Sequence, residues 1–418
     1  MITTFQEVIF PISVDDFLHR YWEREPLYIF RDNPYYYNGL INFDDFEQLI
    51  LSTWPGPENI LASRIDPLSG LGHYKNYSAD DPHAISKILF DYASGFTIAL
   101  FGLTKRSQAV HQLVRSAEQL LLGTGSAGLY AKAGEPQGFR IHKDPHDSYV
   151  LQLEGIKQWT IYEPQRLFPI PHDDDSYEVD ESTLGSSILQ VELHPGDMLY
   201  VPRGFVHEVR SNAAALSLSL IFRSCKRSDL LQETVNLLIA RNPELRRSVQ
   251  GSFVAFTLEN HQHTVHSIRD ACLQALSDEV VEQAIENIKR NMTGTIVPSQ
   301  RGKFSQALRV TSLSHFSVLR KREGNIFHLE KTPAGLILTF PGGCISLQPE
   351  LLTMLRFILE REQFTLDELS GTCGHELALP LVQRLVIEGF LFVEDSLTPI
   401  LPGAESSNSS GLLCTDSP

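Results

Sequence analysis

Three side chains stand out for the chemistry they could do together: His142, Asp144 and His207. The first two lie two positions apart. In a strand, residues i and i+2 point to one face, so both could chelate one ion while Lys143 points away. The third donor must arrive from elsewhere in the fold. Between His194 and Asn212, Gly196-Asp197 reads as a tight turn, Met198–Val201 as a short strand and Pro202-Arg203-Gly204 as a second turn. That pattern would present His207 at a barrel mouth, where small-molecule and metal sites tend to lie. Two imidazoles and one carboxylate on one face of a metal, with the other positions open, is the donor set of non-haem iron(II) oxygen chemistry. A lone His-x-Asp, or a lone histidine after a turn, is most often no ligand at all; the combination carries the reading. His146 and Asp147 are rival donors, and their place after Pro145 suggests a loop beside the site rather than part of it.

Lys157 adds a second kind of chemistry. It lies in the segment Val150–Ile161, whose interleaved apolar and polar positions read as a half-buried strand. A lysine facing into a barrel is costly to bury without an anion, and a dicarboxylate would supply one. On the outer face of the same strand it would simply be solvated.

These residues sit inside two longer motifs. One is Gln137-Gly-Phe-x-x-His142-x-Asp144, continuing through Tyr149-Val-Leu-Gln-Leu-Glu-Gly155-x-Lys157-x-Trp159; the other is Pro195-Gly-Asp-x-Leu-Tyr-x-Pro-Arg-Gly-Phe-x-His207. With the opening Trp22-Glu-x-x-Pro-Leu27, they resemble the cupin-fold JmjC oxygenases, and within them the ribosomal-oxygenase branch of arginyl and histidyl hydroxylases. The resemblance implies an α+β chain: a double-stranded β-helix (cupin/JmjC) barrel, then a helical dimerisation segment, then a C-terminal winged-helix domain. It implies Fe(II) held by His142, Asp144 and His207, with 2-oxoglutarate and O2 as co-substrates and Lys157 on the distal carboxylate. It also implies a protein or peptide substrate and a homodimer. Two departures touch the co-substrate pocket. Many relatives carry Asn fourteen residues before the first histidine; here the residue is Gly128, and Tyr130, on the same face, is the candidate replacement. The later Ser-x-His-x-Thr strand appears as Ser217-Leu-Ser219-Leu-Ile221, so Ser217 and Ser219 join Tyr130 as candidate co-substrate contacts.

The elements that must position these groups follow from patterning. At 418 residues the expectation is two or three domains. We place an α/β preamble and barrel over 1–224, helices over 225–300, a winged-helix-like unit over 301–402 and a disordered tail from 403. Ser13 should cap a helix carrying Phe17, Tyr21 and Trp22, Phe43–Leu51 reads as an amphipathic helix, and Asp91–Leu122 as a longer helical run. Tyr35-Tyr36-Tyr37 reads as loop packing before it reads as an aromatic binding face. His266–Met292 spaces Ile268, Cys272, Ala275, Val280, Ala284 and Ile288 for one apolar face. Further on, Gly335–Phe340 is a strand candidate, Thr365 and Glu368 make a capping box, and Phe390–Val393 is a closing strand.

Composition excludes several classes. A net charge of −16 argues against a non-specific nucleic-acid binder and favours basic partners; the acidic run His172–Ser182 could greet a basic substrate segment. No apolar run reaches the ~20 residues of a membrane span. Five scattered cysteines without a Cys-x-x-Cys suggest reduced thiols, and with no signal-peptide pattern the expected location is the cytoplasm. Two other readings stay open: a non-catalytic cupin sensor or scaffold whose winged helix contacts nucleic acid or peptide, and a cupin enzyme using another metal without 2-oxoglutarate.

Overall fold

The computed structural model describes all residues except 1, 54–58, 67, 70, 79, 135–137, 171–178, 250–261, 300–301, 323, 325 and 395–418. In chain order the elements are helices α1 (Phe5–Ile9) and α2 (Val14–Asp16), strand β1 (Leu27–Ile29), α3 (Phe43–Thr53), β2 (Ile60–Ile65), β3 (Gly72–Asn76), α4 (Ala84–Ala93), β4 (Thr97–Phe101) and α5 (Gln108–Leu120). The barrel strands follow: β5 (Gly123–Lys132), β6 (His142–Lys143), β7 (Asp147–Glu154), β8 (Lys157–Tyr162), β9 (Leu189–Leu193), β10 (Met198–Val201), β11 (Val206–Arg210) and β12 (Ala215–Ser224). Next come α6 (Arg227–Arg241), α7 (Gln262–Ala275), α8 (Asp278–Thr295), α9 (Lys303–Arg309), β13 (Val318–Lys321), β14 (His328–Thr332), β15 (Gly335–Phe340) and β16 (Gly343–Leu347). The last are α10 (Leu352–Glu360), β17 (Gln363–Thr365), α11 (Leu366–Cys373), α12 (His375–Glu388) and β18 (Leu391–Val393). Two compact units result: 1–301 with 324–347, and 302–323 with 348–418. Residues 324–347, expected in the third unit, therefore group with the first.

Two antiparallel sheets face each other in the first unit. The larger runs β1-β10-β7-β12-β5-β4-β2-β3 and the smaller β6-β11-β8-β9. Strand alternation divides the work of the large sheet. Leu129, Ala131, Tyr149, Leu151, Leu216, Leu218 and Leu220 point outward into a core with Phe5, Phe17, Val110 and Leu113 from the N-terminal segment and α5. The other face, with Tyr130, Ser148, Val150, Ser217 and Ser219, lines a cavity closed on its far side by Trp159, His207 and Val209 of the small sheet. This is the expected two-sheet barrel.

Local chemistry starts the elements, at Ser13 as expected and at Thr4 as the structure adds. Thr4 and Glu7 form a capping box on α1, and the Ser13 side chain accepts from the Asp16 N–H. The Asp197 carboxylate closes the turn before β10 by accepting from the Arg31 and His194 N–H groups and the Tyr28 hydroxyl. Tyr36 and Tyr37 are packing residues: the Tyr36 hydroxyl donates to the Glu7 carbonyl, and buried Tyr37 accepts from Arg31. Tyr35 stays exposed.

Three patterns differ from expectation. Asp91–Leu122 is not one helical run: the chain turns at Gly95 (φ +86°), and β4 runs buried between β2 and β5 before α5 begins. An apolar run buried on both faces has no period that separates strand from helix. Val150–Ile161 is two strands, because Gly155 (φ +66°) turns the chain from the large sheet to the small; a side chain there would strike the Ala214 carbonyl. The face read along His266–Met292 is broken between α7 and α8, so Val280 and Ala284 are buried while Ile268 is exposed.

The second unit is a three-stranded antiparallel sheet, β17-β13-β18, with α9 to α12. Thr365 and Glu368 make the anticipated capping box on α11. Cys225, Cys272, Cys344 and Cys373 are free thiols; Cys414 lies outside the described residues.

Candidate metal and co-substrate site

The smaller sheet sets the metal donors. Antiparallel pairing of β6 with β11 places His142 directly opposite His207, and their rings lie 4.2 Å apart between centroids. Asp144 follows β6, where its backbone carbonyl accepts from the Gly204 N–H at 2.9 Å. Gly204 has φ +90°, and a Cβ there would come 2.7 Å from the Pro169 ring, so the turn that feeds His207 into β11 requires glycine. Donor atoms of His142, Asp144 and His207 all lie within 4.8 Å of one another, and they are the group of metal-capable side chains found among the described residues.

Hydrogen bonding prepares both imidazoles as ligands. His142 Nδ1 lies 2.7 Å from the Arg140 carbonyl, and His207 Nδ1 lies 3.1 Å from the Phe205 carbonyl. A carbonyl only accepts, so a neutral ring carries its proton on Nδ1 and leaves the Nε2 lone pair for the metal. Burial, reinforced by the His142 ring, lowers the His207 pKa to about 4, which keeps it neutral. For Asp144, burial alone would push the carboxyl up. The imidazoles of His146, His142 and His207 and the Arg223 guanidinium outweigh it and hold the group below its ordinary value. An anionic carboxylate beside two imidazoles whose Nδ1 atoms face backbone carbonyls, leaving Nε2 toward the cavity, fits a divalent iron-type ion. Trp159 stacks on His207 at 5.6 Å and fixes the ring plane.

The rival donors are placed differently from each other. His146 is largely buried, lines the cavity and approaches Asp144 at 3.7 Å. Asp147 begins β7 and is fully buried, accepting from the Tyr200 hydroxyl, the Arg203 N–H and the Ser224 hydroxyl; burial pushes its carboxyl up to about 6. It is a structural carboxyl, and neither residue is solvent-exposed.

The cavity holding the triad measures about 880 Å³. Lys157 is buried at its wall, donating to the Ser217 hydroxyl at 2.6 Å and the Tyr130 carbonyl at 3.1 Å. Burial, then the nearby Lys132 ammonium, lowers its pKa to about 7. The solvated outer-face placement is thus excluded. Tyr130 reaches Lys157 through its main chain, while its ring lines the cavity against Phe101 and Phe139. Ser219 lines the same wall. Gly128 does not: a Cβ there would sit 3.1 Å from the Phe101 ring, which fills the space. Lys132, Arg140, Arg210 and Arg223 also line the cavity, and patterning singled out none of them. The signal available for Lys132 was its i+2 spacing from Tyr130 on one strand. Of the acidic run, residues 172–178 lie outside the described residues, and Glu181 lines the cavity. Gln137 of the first motif lies outside them too.

Comparison with known proteins finds similarities in sequence and in fold. A JmjC domain model matches residues 104–230. A bifunctional lysine-specific demethylase and histidyl-hydroxylase NO66 of Aedes aegypti is 24% identical over 332 residues, covering 74% of this chain and 51% of that protein. Ribosomal oxygenase 1 of Homo sapiens is 26% identical over 282 residues, covering 65% and 43%. The chain thus spans about half the length, or less, of these curated relatives. Among solved structures, Escherichia coli ycfD superposes with a TM-score of 0.57 at 18% identity, covering 92% of this chain and 98% of that one. The same ribosomal oxygenase in complex with cobalt and 2-oxoglutarate gives a TM-score of 0.55 at 16% identity, covering 92% and 99%. At such identities the likeness establishes the fold. Residues 104–230 thus match a JmjC domain, and the matched domain, the relatives and the barrel together support a likeness to the ribosomal oxygenases.

Proposed function

We propose that the protein is an Fe(II)- and 2-oxoglutarate-dependent dioxygenase that hydroxylates a side chain of a protein or peptide. The observation that carries this is the convergence of the His142–Asp144–His207 donor set and the buried Lys157 ammonium on one cavity. When bound, Fe(II), 2-oxoglutarate and O2 supply the oxidising chemistry, with succinate and CO2 as co-products of C–H hydroxylation. The chain's own residues bind, orient and exclude water. His142, Asp144 and His207 hold the ion and leave its remaining positions open. Lys157 anchors the distal carboxylate, with Ser217 and the Tyr130 carbonyl fixing its ammonium; Ser219 lies along the co-substrate's wall. Val150, Trp159 and Ile221 give the cavity apolar surface that limits water near the metal.

The substrate follows from likeness alone: an Arg or His side chain of a ribosomal protein, as the relatives' names suggest, or a biosynthetic peptide. The net charge of −16 favours a basic partner. We also read the second unit as winged-helix-like, since α10 to α12 lead into β18, which pairs back onto β13. A homodimer through the helical segment is supported by α6, which packs on α8 yet leaves Leu231, Val235 and Ile239 exposed at successive i+4 positions. No described helix is long and apolar enough to cross a membrane.

The test is an anaerobic titration of Fe(II)-loaded protein with 2-oxoglutarate, following metal-to-ligand charge-transfer absorption, with His142→Ala as control. A saturable band absent from the variant is expected. No band in folded, iron-loaded wild-type protein would overturn the reading.

A further inference from the structure

We propose that a second cavity in the first unit binds a phosphate group, free or carried on a small molecule. The cavity measures about 560 Å³ and lies between the N-terminal turn of α5 and the C-terminal end of α8. It shares no lining residue with the metal cavity. Its walls are tied together at two points. Arg115 of α5 donates to the Val297 carbonyl just beyond α8. Gly342, in the β15–β16 turn, has φ +82°, and a Cβ there would come 2.6 Å from the Pro298 ring, so glycine lets the turn close in.

The polar groups on one wall are left open together. Gln108 and Ala109 begin α5, where N–H groups have no intrahelical acceptor, and theirs have no other partner among the described residues. A helix start alone is not a site, but two buried side chains add to it. Thr104 is 7% exposed, and its hydroxyl has no partner among the described residues. His111 is 8% exposed and directs Nδ1 to the Thr104 carbonyl at 3.1 Å, which leaves Nε2 without a partner among them. Neither Thr104 Oγ1 nor His111 Nε2 is sealed, so both open onto the cavity that their residues line.

Charge then selects the ligand. The chain carries a net charge of −16, yet among the described residues lining this cavity there is no Asp or Glu. Lys105 and Arg106 line it instead. The exposed Lys105 ammonium makes no hydrogen bond or ion pair among the described residues; Arg106 already has a partner. Free N–H groups, a hydroxyl and an ammonium suit an oxyanion. His111 narrows the class. Burial, then the Arg115 guanidinium, lowers its pKa and keeps the ring neutral, so with Nδ1 donating, Nε2 accepts. Sulfate has no hydrogen to offer it. Phosphate has, through its remaining P–OH or through a hydroxyl of the molecule that carries it. A cavity of this size belongs with small-molecule pockets.

The test is isothermal titration calorimetry of the whole chain with inorganic phosphate, glycerol 3-phosphate and sulfate, at ionic strength matched with sodium chloride. Wild type is expected to bind at least one of the phosphates saturably at a single site, and sulfate about tenfold more weakly or worse. Lys105→Glu changes an exposed side chain and should weaken phosphate binding about tenfold or more, the scale of one charge-assisted hydrogen bond. Thr104→Val, which keeps the shape and removes the hydroxyl, should weaken it in the same direction. Tighter binding of glycerol 3-phosphate would identify the ligand as a phosphorylated small molecule, and tighter binding of inorganic phosphate would identify the free ion. No saturable heat with either phosphate would overturn the proposal. So would sulfate binding equal to phosphate, or a Lys105→Glu Kd within about twofold of wild type.

Discussion

At the scale of single residues, the triad and Lys157 make separable predictions. Asp144 is the one anionic donor, and removing it leaves two neutral imidazoles whose attraction for Fe(II) is much weaker. Asp144→Ala should lose stoichiometric iron by elemental analysis and fall to background turnover, while circular dichroism stays native. Retained iron and activity would show that the metal sits elsewhere. Lys157 offers a test with a sign. Its folded pKa is lowered to about 7, below its ordinary value, so between roughly pH 7 and 10 the unfolded chain holds a proton the folded one lacks. Stability of the ligand-free protein should therefore rise with pH across that window, relative to Lys157→Met. Co-substrate affinity should move the opposite way. An anion needs the charged ammonium, so binding takes up a proton above pH 7, and the Kd for 2-oxoglutarate should climb with pH in wild type. Calorimetry in buffers of different ionisation enthalpy would read the proton uptake directly. Uptake that persists in Lys157→Met would assign it to another group.

Elements decide whether these residues meet, and this is where sequence reading reaches its limit. The His-x-Asp spacing, the two turns around β10 and the lysine were legible because each is local: alternation, glycine turns and the cost of a buried charge act over a few residues. What was not legible depends on strand partners. That His207 lies opposite His142 follows from β6–β11 register, and that Lys157 of β8 finds Ser217 of β12 follows from the small sheet facing the large one; neither leaves a local trace. Lys132 was missed for the same reason. It reads as a charged strand end until β12 encloses it. The strand β4 was absorbed into a helical reading because burial on both faces removes its periodicity. The Gly204 turn joins the two kinds of information, since its positive φ is local while its clash partner, Pro169, is not. Gly204→Ala should cost about 1–3 kcal/mol by its conformation alone. It should also loosen the metal site, because the Gly204 N–H holds the Asp144 carbonyl. Thermal unfolding and iron affinity are expected to fall together. An alanine variant with wild-type iron affinity would separate the turn from the triad.

At the scale of the whole molecule, charge and apolar surface point to different partners. The chain is strongly acidic, yet its described cavity wall carries Lys132, Lys157, Arg140, Arg210 and Arg223 against Asp144 and Glu181, so a small dianion meets a local field opposite to the global one. The helical segment carries exposed apolar side chains in a regular order. On α6, Thr234 and Leu238 face inward, while Leu231, Val235 and Ile239 form an outward stripe; α7 exposes Val265, Ile268 and Leu273. Singly exposed apolar residues need no explanation, but a stripe repeated at helical spacing does. Two copies of α6 meeting stripe to stripe would bury it, whereas a charge placed there would have to be desolvated without a partner. Sedimentation at micromolar concentration should show a wild-type dimer, and Leu231→Glu with Val235→Glu should give a monomer. Because the stripe faces away from the barrel core, that monomer should keep the charge-transfer band. A variant that stays dimeric, or a wild type that sediments as a monomer, would remove α6 from the interface and leave its exposed stripe to some other partner.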